Sequence, residues 1–207
     1  MGAPRIYVDL DDVLSHTIEQ LSRLLEREFG RRVEPEAVAH FDLARSFGLT
    51  PAELEAFFAA VHRPEALAAL APRAGAARAL RAWTQRGYQV SVVTGRPPST
   101  ATDSQAWLAR HGIPHAHFAC VDKYGRADPR EPAAPALRLA DLARFGFALA
   151  VEDSLEVAAH LAETCGVPVV LLDRPWNRDV SQVAPAAARR MVRCHDWREI
   201  AARFPAP

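Results

Sequence analysis

Arg5-Ile6-Tyr7-Val8-Asp9-Leu10-Asp11-Asp12-Val13-Leu14 is the stretch on which the reading of this 207-residue chain turns. Residues 5–9 form a largely apolar run that reads as a buried strand. It delivers three carboxylates within four positions, Asp9, Asp11 and Asp12. Like charges this close raise one another's pKa unless a cation offsets them. The carboxyl ends of strands are also where ligands bind in an open α/β sheet. Asp9 and Asp11 are two residues apart and would share a face of extended backbone. The plain structural alternative is an acidic loop that caps a following helix, and this motif alone leaves it open.

Outward from that strand, five further apolar runs read as strands: Tyr88–Thr94, His117–Val121, Phe147–Val151, Pro168–Leu172 and Arg190–Cys194. Most are nearly continuous in apolar and β-branched residues, as parallel strands covered on both faces should be. Helical patterns between them stop at glycine, Ser104–His111 at Gly112 and Ser154–Cys165 at Gly166. Such alternation predicts right-handed crossovers and an α/β, three-layer Rossmann-like parallel sheet. The stretch from His16 to Arg86 breaks it with helices alone. Thr17–Phe29 ends at Gly30, Thr50-Pro51-Ala52-Glu53 is a capping box, and Ala76–Arg86 ends at Gly87 and returns the chain to the sheet. The expected organisation is a core of residues 1–15 and 87–207, with a helical insertion at 16–86 sitting as a cap over the sheet. The Pro- and Ala-rich Asp128–Ala136 reads as a loop entering a helix.

Hydrophobic residues make up 49% of the chain, enough for a substantial core and far from the disordered range. Lys plus Arg and Asp plus Glu both total 25, so the net charge is zero and there is no basic excess for nucleic acid. A small diffusible partner is the expectation. No apolar run reaches the ~20 residues of a membrane helix, and residues 1–10 lack a signal-peptide pattern. Ile6 stands where a myristoylation motif needs Ser or Thr. Cys120, Cys165 and Cys194 are odd in number and widely spaced, and read as reduced thiols of a cytoplasmic protein.

Three more features carry chemistry. Glu152-Asp153-Ser154 follows the strand Phe147–Val151, placing a second acidic pair at a strand end. Either residue, or Ser154, would also serve as a helix N-cap. Two acidic groups converging at one end of a sheet suit magnesium, whose ligands are hard oxygens at ~2.0–2.1 Å. Val92-Val93-Thr94-Gly95-Arg96-Pro97 ends a strand on a hydroxyl, and Gly95 frees the backbone to approach a ligand. Adjacent N–H groups there suit phosphate oxygens, while a plain turn is the alternative. Lys123, at the end of His117–Val121, is the only lysine among 25 basic side chains, which hints that a compact ammonium charge is needed there, though chance retention of a surface lysine is the alternative.

Together, Asp-x-Asp-x-Val after the first strand, Thr94, the isolated Lys123 and Glu152-Asp153 resemble, in order, the four motifs of the haloacid dehalogenase superfamily. The helical insertion resembles that superfamily's C1 caps. The resemblance implies a Mg2+-dependent phosphomonoester hydrolase working through an aspartyl-phosphate. Asp9 would be the nucleophile and Asp11 the general acid–base. Asp9, the Asp11 backbone carbonyl and Asp153 would hold the metal, with Glu152 ordering its waters. Thr94, Gly95 and Lys123 would bind the transferring phosphoryl group, Thr94 and Lys123 as part of the catalytic set. Val157 stands where some members carry a further Asp, so the paired-acid variant fits better.

A finer resemblance, to the cytosolic 5'(3')-deoxyribonucleotidases and their bacterial relatives, rests on Ala106-Trp107-Leu108-Ala109-Arg110-His111-Gly112-Ile113, Asp122-Lys123 and Asp173-Arg174-Pro175-Trp176-Asn177. It implies (deoxy)nucleoside monophosphates as substrates, with sugar or other small-metabolite phosphates as the alternative. A non-catalytic binding module of the same fold, or a phosphotransferase, are the other classes. Phe41, Phe47, Phe57 and Phe58 read as a base-stacking wall or as the cap's own core, the latter for at least half of them. Trp176 and Asn177 read as entrance residues or as a lock on their turn. His111, His115 and His117 lack a carboxylate partner in sequence and read as loop residues. His16 and Arg96 flank the motifs without an assigned role.

Overall fold

The computed structural model describes residues 2–125 and 137–205. β1 (Arg5–Asp9) is followed by α1 (Thr17–Phe29), α2 (Leu43–Phe47), α3 (Pro51–Val61), α4 (Pro64–Ala68) and α5 (Ala76–Gln85). Then come β2 (Gln89–Thr94), α6 (Ala101–Arg110), β3 (His117–Asp122), β4 (Leu137–Arg138), β5 (Phe147–Glu152) and α7 (Leu155–Glu163). β6 (Val169–Leu172), α8 (Pro185–Ala188), β7 (Met191–Cys194) and α9 (Trp197–Arg203) complete the order. All seven strands are parallel, in the order β4-β3-β2-β1-β5-β6-β7. The chain builds outward from β1 on one side and resumes with β5 on the other, so the order switches direction at the β1/β5 pair. Ligands of such sheets bind outside the carboxyl ends at this switch.

Alternation along β1 divides the core between two faces. Ile6 and Val8 pack with Leu80, Trp83, Trp107 and Trp197 from α5, α6 and α9. Tyr7 faces the opposite layer with Val157, Ala158 and Leu161 of α7. Trp83, Trp107 and Trp197 are fully buried, and each indole N–H donates at 2.8 Å to a carbonyl, those of Phe204, Leu70 and Val13. Buried Trp contributes a large apolar area only when this polar handle is satisfied.

A third cluster, Ile18, Leu21, Leu24, Leu25, Val38, Phe47, Leu49, Phe57 and Ala60, is built from α1, α2, α3 and their connections. Leu67, Leu70 and α5 pack instead with the sheet. The connection from β1 to α1 and the one from α4 to α5 are tied together: Ser15 bridges Pro72, His16 N donates to Ala71 O at 2.8 Å, and Arg73 N donates to Leu14 O at 2.7 Å.

Several boundaries differ from the sequence reading. β2 starts at Gln89, because the Tyr88 N–H is still used by the Trp83 carbonyl at the end of α5. α6 begins at Ala101 rather than Ser104, continuing directly from a 3-10 turn at Pro98–Thr100. α7 runs from Leu155 to Glu163, with Ser154 as its N-cap rather than its first residue. β4 has only two residues, too few to show a periodicity. The loop at Asp128–Ala136 lies outside the described residues.

Candidate active site

β1 ends at Asp9 and its neighbour β5 ends at Glu152, so parallel register brings two carboxylates to one edge of the sheet. Asp153 follows directly, and the carboxylates of Asp9, Glu152 and Asp153 lie within 4.8 Å of one another. All three are buried. Lys123 reaches across from the end of β3, with Nζ 2.6 Å from Asp9 Oδ1 and 2.9 Å from Glu152 Oε2. One ammonium against three carboxylates leaves a negative excess. Burial pushes the Asp9 carboxyl well above the usual range, and the Glu152 charge adds to the shift against the opposing pull of Lys123. Burial likewise raises Asp153, with Glu152 and Asp9 reinforcing it. Burial alone would lower Lys123, but Asp9 and Glu152 outweigh it and hold the ammonium charged.

Glu152 is saturated by protein donors. Oε2 accepts the Tyr7 hydroxyl at 2.6 Å as well as Lys123, and Oε1 accepts the N–H groups of Asp153 and Ser154, each at 3.0 Å. It is therefore a scaffold for its neighbours. Asp9 and Asp153 are the carboxylates with capacity left for a cation. A buried all-oxygen donor set with excess negative charge fits a hard divalent ion such as magnesium.

Asp11 faces another way. Its carboxylate accepts from Arg96 Nε at 3.0 and 3.2 Å and Nη2 at 2.7 Å, from Thr17 Oγ1 at 2.8 Å and from Thr94 Oγ1 at 3.3 Å. Burial would raise its pKa, but the charge and hydrogen bonds of Arg96, helped by Thr17, hold it below the ordinary value. Thr94 is fully buried at the end of β2. At Gly95 a Cβ would come within 3.3 Å of the Tyr124 ring and 3.5 Å of Lys123 Cδ. Glycine here lets the loop pack against the lysine stem.

Asp12 adopts a left-handed backbone with φ 54°, tolerated by Asp better than by most residues. Its carboxylate accepts the Ile18 N–H at 3.1 Å and pairs with Arg73 at 2.9 Å. Burial raises it to about 6 despite Arg73 and Arg174. Asp12 thus caps the start of α1, as the structural alternative foresaw, while Asp9 does not.

Sequence reasoning passed over Tyr7 and left Arg96 without a role. Tyr7 lies two residues before Asp9 on one face of the strand, which was a usable signal; Arg96 meets Asp11 across 85 positions, which was not. Phe47 and Phe57 belong to the helical cluster, Phe58 stacks on His62, and Phe41, 40% exposed, meets Tyr124 with ring centroids 5.2 Å apart. His111 packs on Trp107, His115 Nδ1 bonds the Ile113 carbonyl at 3.1 Å, and His16 pairs with Glu19.

A parallel sheet of this order, with paired acids at the ends of β1 and β5 and a lysine after β3, defines a haloacid dehalogenase-type hydrolase. The chain belongs to the family described as 5' nucleotidase, deoxy (pyrimidine), cytosolic type C protein, whose model matches residues 3–126. It is thus a phosphatase acting on small phosphorylated substrates. A Halalkalibacterium halodurans protein named as a candidate nucleotidase is 25% identical over 196 residues, spanning 94% of this chain and 89% of its own. Among solved structures, a haloacid dehalogenase family hydrolase of Deinococcus radiodurans, with bound phosphate and sodium, aligns at TM-score 0.60 and 19% identity, covering 99% of this chain and 97% of its own. CbbY of Rhodobacter sphaeroides, in complex with phosphate, aligns at 0.61 and 16%, covering 97% and 96%. These two likenesses concern the fold.

Proposed function

We propose that this phosphatase is a magnesium-dependent 5'-nucleotidase that takes phosphate from (deoxy)nucleoside monophosphates through an aspartyl-phosphate on Asp9. The observation that carries the reading is the Lys123–Asp9 contact of 2.6 Å beside Glu152 and Asp153 at the sheet's switch point. The insertion within 16–86 supplies a cap whose self-packed part is the cluster around Phe57, while its last helix, α5, packs with the sheet of the catalytic core.

In the first step a carboxylate oxygen of Asp9 bonds to phosphorus, the ester P–O bond breaks, and the leaving alcohol takes its proton from Asp11. In the second, water attacks the same phosphorus, Asp11 takes the water's proton, and the Asp9 carboxylate is released together with phosphate. The Arg96 clamp favours ionised Asp11, which suits the second step directly; the first requires Asp11 to be protonated. Thr94, the Gly95 N–H and Lys123 bind the phosphoryl oxygens and offset their charge. Magnesium would be held by the carboxylates of Asp9 and Asp153 and the Asp11 carbonyl, and would supply positive charge to offset that of the transferring phosphoryl group. Membership of the deoxynucleotidase family supports the nucleotide substrate.

The test is phosphate release with magnesium across deoxynucleotides, ribonucleotides and sugar phosphates, with Asp9→Asn as control. Preference for deoxynucleoside monophosphates is expected. Turnover confined to sugar phosphates would keep the mechanism and discard the nucleotidase reading. Wild-type rates in Asp9→Asn would remove Asp9 as nucleophile.

A further inference from the structure

Trp176 sits on a short 3-10 turn, Pro175–Asn177, that follows β6. The turn is pinned from beneath by Asn177, which is fully buried. Its Nδ2 donates to the carbonyls of Asp153 and Leu172, both at 2.8 Å, and its Oδ1 accepts the Arg174 N–H at 3.2 Å. With the turn fixed, the half-buried Trp176 has two contacts of different kinds. Its indole N–H donates to Asp153 Oδ2 at 3.0 Å. Its ring packs against the helical cluster of Ile18, Leu21, Phe57 and their neighbours. A residue of the core therefore belongs to the cap's hydrophobic cluster while it bonds one carboxylate of the acidic site.

We propose that Trp176 is a positioning residue that orients Asp153 for the metal and ties that carboxylate to the packing of the cap. This rests on the metal reading above. The bond engages Oδ2, and among the described residues no donor reaches Oδ1. The carboxylate is thereby held in one rotation with one oxygen left for a cation. Partners that orient a metal ligand in this way typically contribute roughly 10- to 100-fold in metal affinity. Because the same ring is part of the cap cluster, movement of the cap and occupancy of the metal site bias one another, and such coupling is reciprocal.

The experiment compares the wild type with Trp176→Phe, which retains an aromatic ring but lacks the N–H. A second variant carries benzothienylalanine at 176, isosteric with tryptophan and without a donor, so that shape and hydrogen bond are separated even if Phe disturbs folding. Magnesium chloride is titrated calorimetrically without substrate, and amide exchange in α1 and α3 is followed with and without the ion. The expected results are a magnesium dissociation constant raised roughly tenfold or more in both variants, and cap exchange slowed by magnesium in the wild type but much less in the variants. Affinity within twofold of wild type in the benzothienyl variant would overturn the positioning role. Unchanged cap exchange in a wild type that binds magnesium would overturn the coupling. A wild type that binds no magnesium would overturn this inference together with the metal reading, whereas the other two outcomes leave that reading standing.

Discussion

Replacing Lys123 with methionine isolates the charge balance of the site. The side chain is 2% exposed and its ammonium contacts two buried carboxylates, at 2.6 and 2.9 Å. Methionine approximates the stem and removes the charge, leaving Asp9 and Glu152 against one another. Breaking a buried ion pair from one side costs about 3–5 kcal/mol. For a chain of this size each kcal/mol shifts Tm by about 2–4 °C, so the metal-free variant should melt roughly 10 °C lower at neutral pH. The loss should depend on pH. Asp9 already has a raised pKa, and loss of Lys123 raises it further. A carboxyl whose folded pKa exceeds its unfolded value gains a proton on folding, so its contribution is present at low pH and is lost as pH rises through the folded pKa. The deficit of the variant should therefore be smaller at pH 5 than at pH 8. Circular dichroism melts in EDTA at both pH values read this directly. A variant within 2 °C of wild type at both would refute the assignment of Lys123 as the counter-charge of the cluster.

Asp9→Asn should abolish phosphate release while leaving the melt equal to or above wild type, since it removes one of three crowded carboxylates; a much lower Tm would show Asp9 to be a structural ion-pair partner above all. Tyr7→Phe strips one donor from buried Glu152 and should cost about 1–3 kcal/mol in denaturant unfolding, an unaltered midpoint counting against the network. Asp12, raised to about 6 by burial despite Arg73, should make the metal-free protein less stable as pH rises from about 4 to 6, because the unfolded chain has already lost this proton while the folded one keeps it until the pH passes about 6. Asp12→Asn should flatten that slope, and an unchanged slope would assign it to Asp9 and Asp153 alone. Thr50→Ala removes the capping box that Thr50 forms with Glu53 at the start of α3 and should lower stability by about 1 kcal/mol.

The elements with strong local signals were legible in the sequence. α1 from Thr17 to Phe29 matches its expected span, because an apolar stripe and Gly30, with φ 65°, define both face and end. Asp9, Glu152, Asp153 and Lys123 were legible because strand ends in a parallel sheet share one edge, whatever the strand order. Residues that act through long-range contact were not. Arg96 looked like part of a Gly-Arg-Pro turn, and nothing local says that its guanidinium binds Asp11. Trp176 offered two readings, entrance or turn lock, and the bond to Asp153 is a third that no neighbouring residue announces. The boundary of the cap was equally hidden: α5 and α1 are both amphipathic helices in one insertion, yet one completes the sheet layer and the other builds a separate cluster.

That division explains how the site tolerates its charge. The loop after β1 emerges from a well-packed strand and turns sharply at Asp12. Three backbone carbonyls in and around it are already fixed: Val13 by the Trp197 indole, Asp12 by the Arg174 guanidinium, and Leu14 by the Arg73 N–H. Each fixing group comes from a different part of the chain, α9, the turn after β6 and the return connection of the insertion. A loop held from three sides cannot relax to separate Asp9 from Glu152 and Asp153, so burial and the crowding of charge remain as the raised pKa values of Asp9 and Asp153 and are not dissipated by movement. The same rigidity leaves their oxygens already converged, which lowers the reorganisation needed to hold a cation or a phosphoryl group. Stability given up at the end of β1 thus reappears as binding capacity, and the hydrophobic packing of Ile6 and Val8 immediately before it keeps the strand in place.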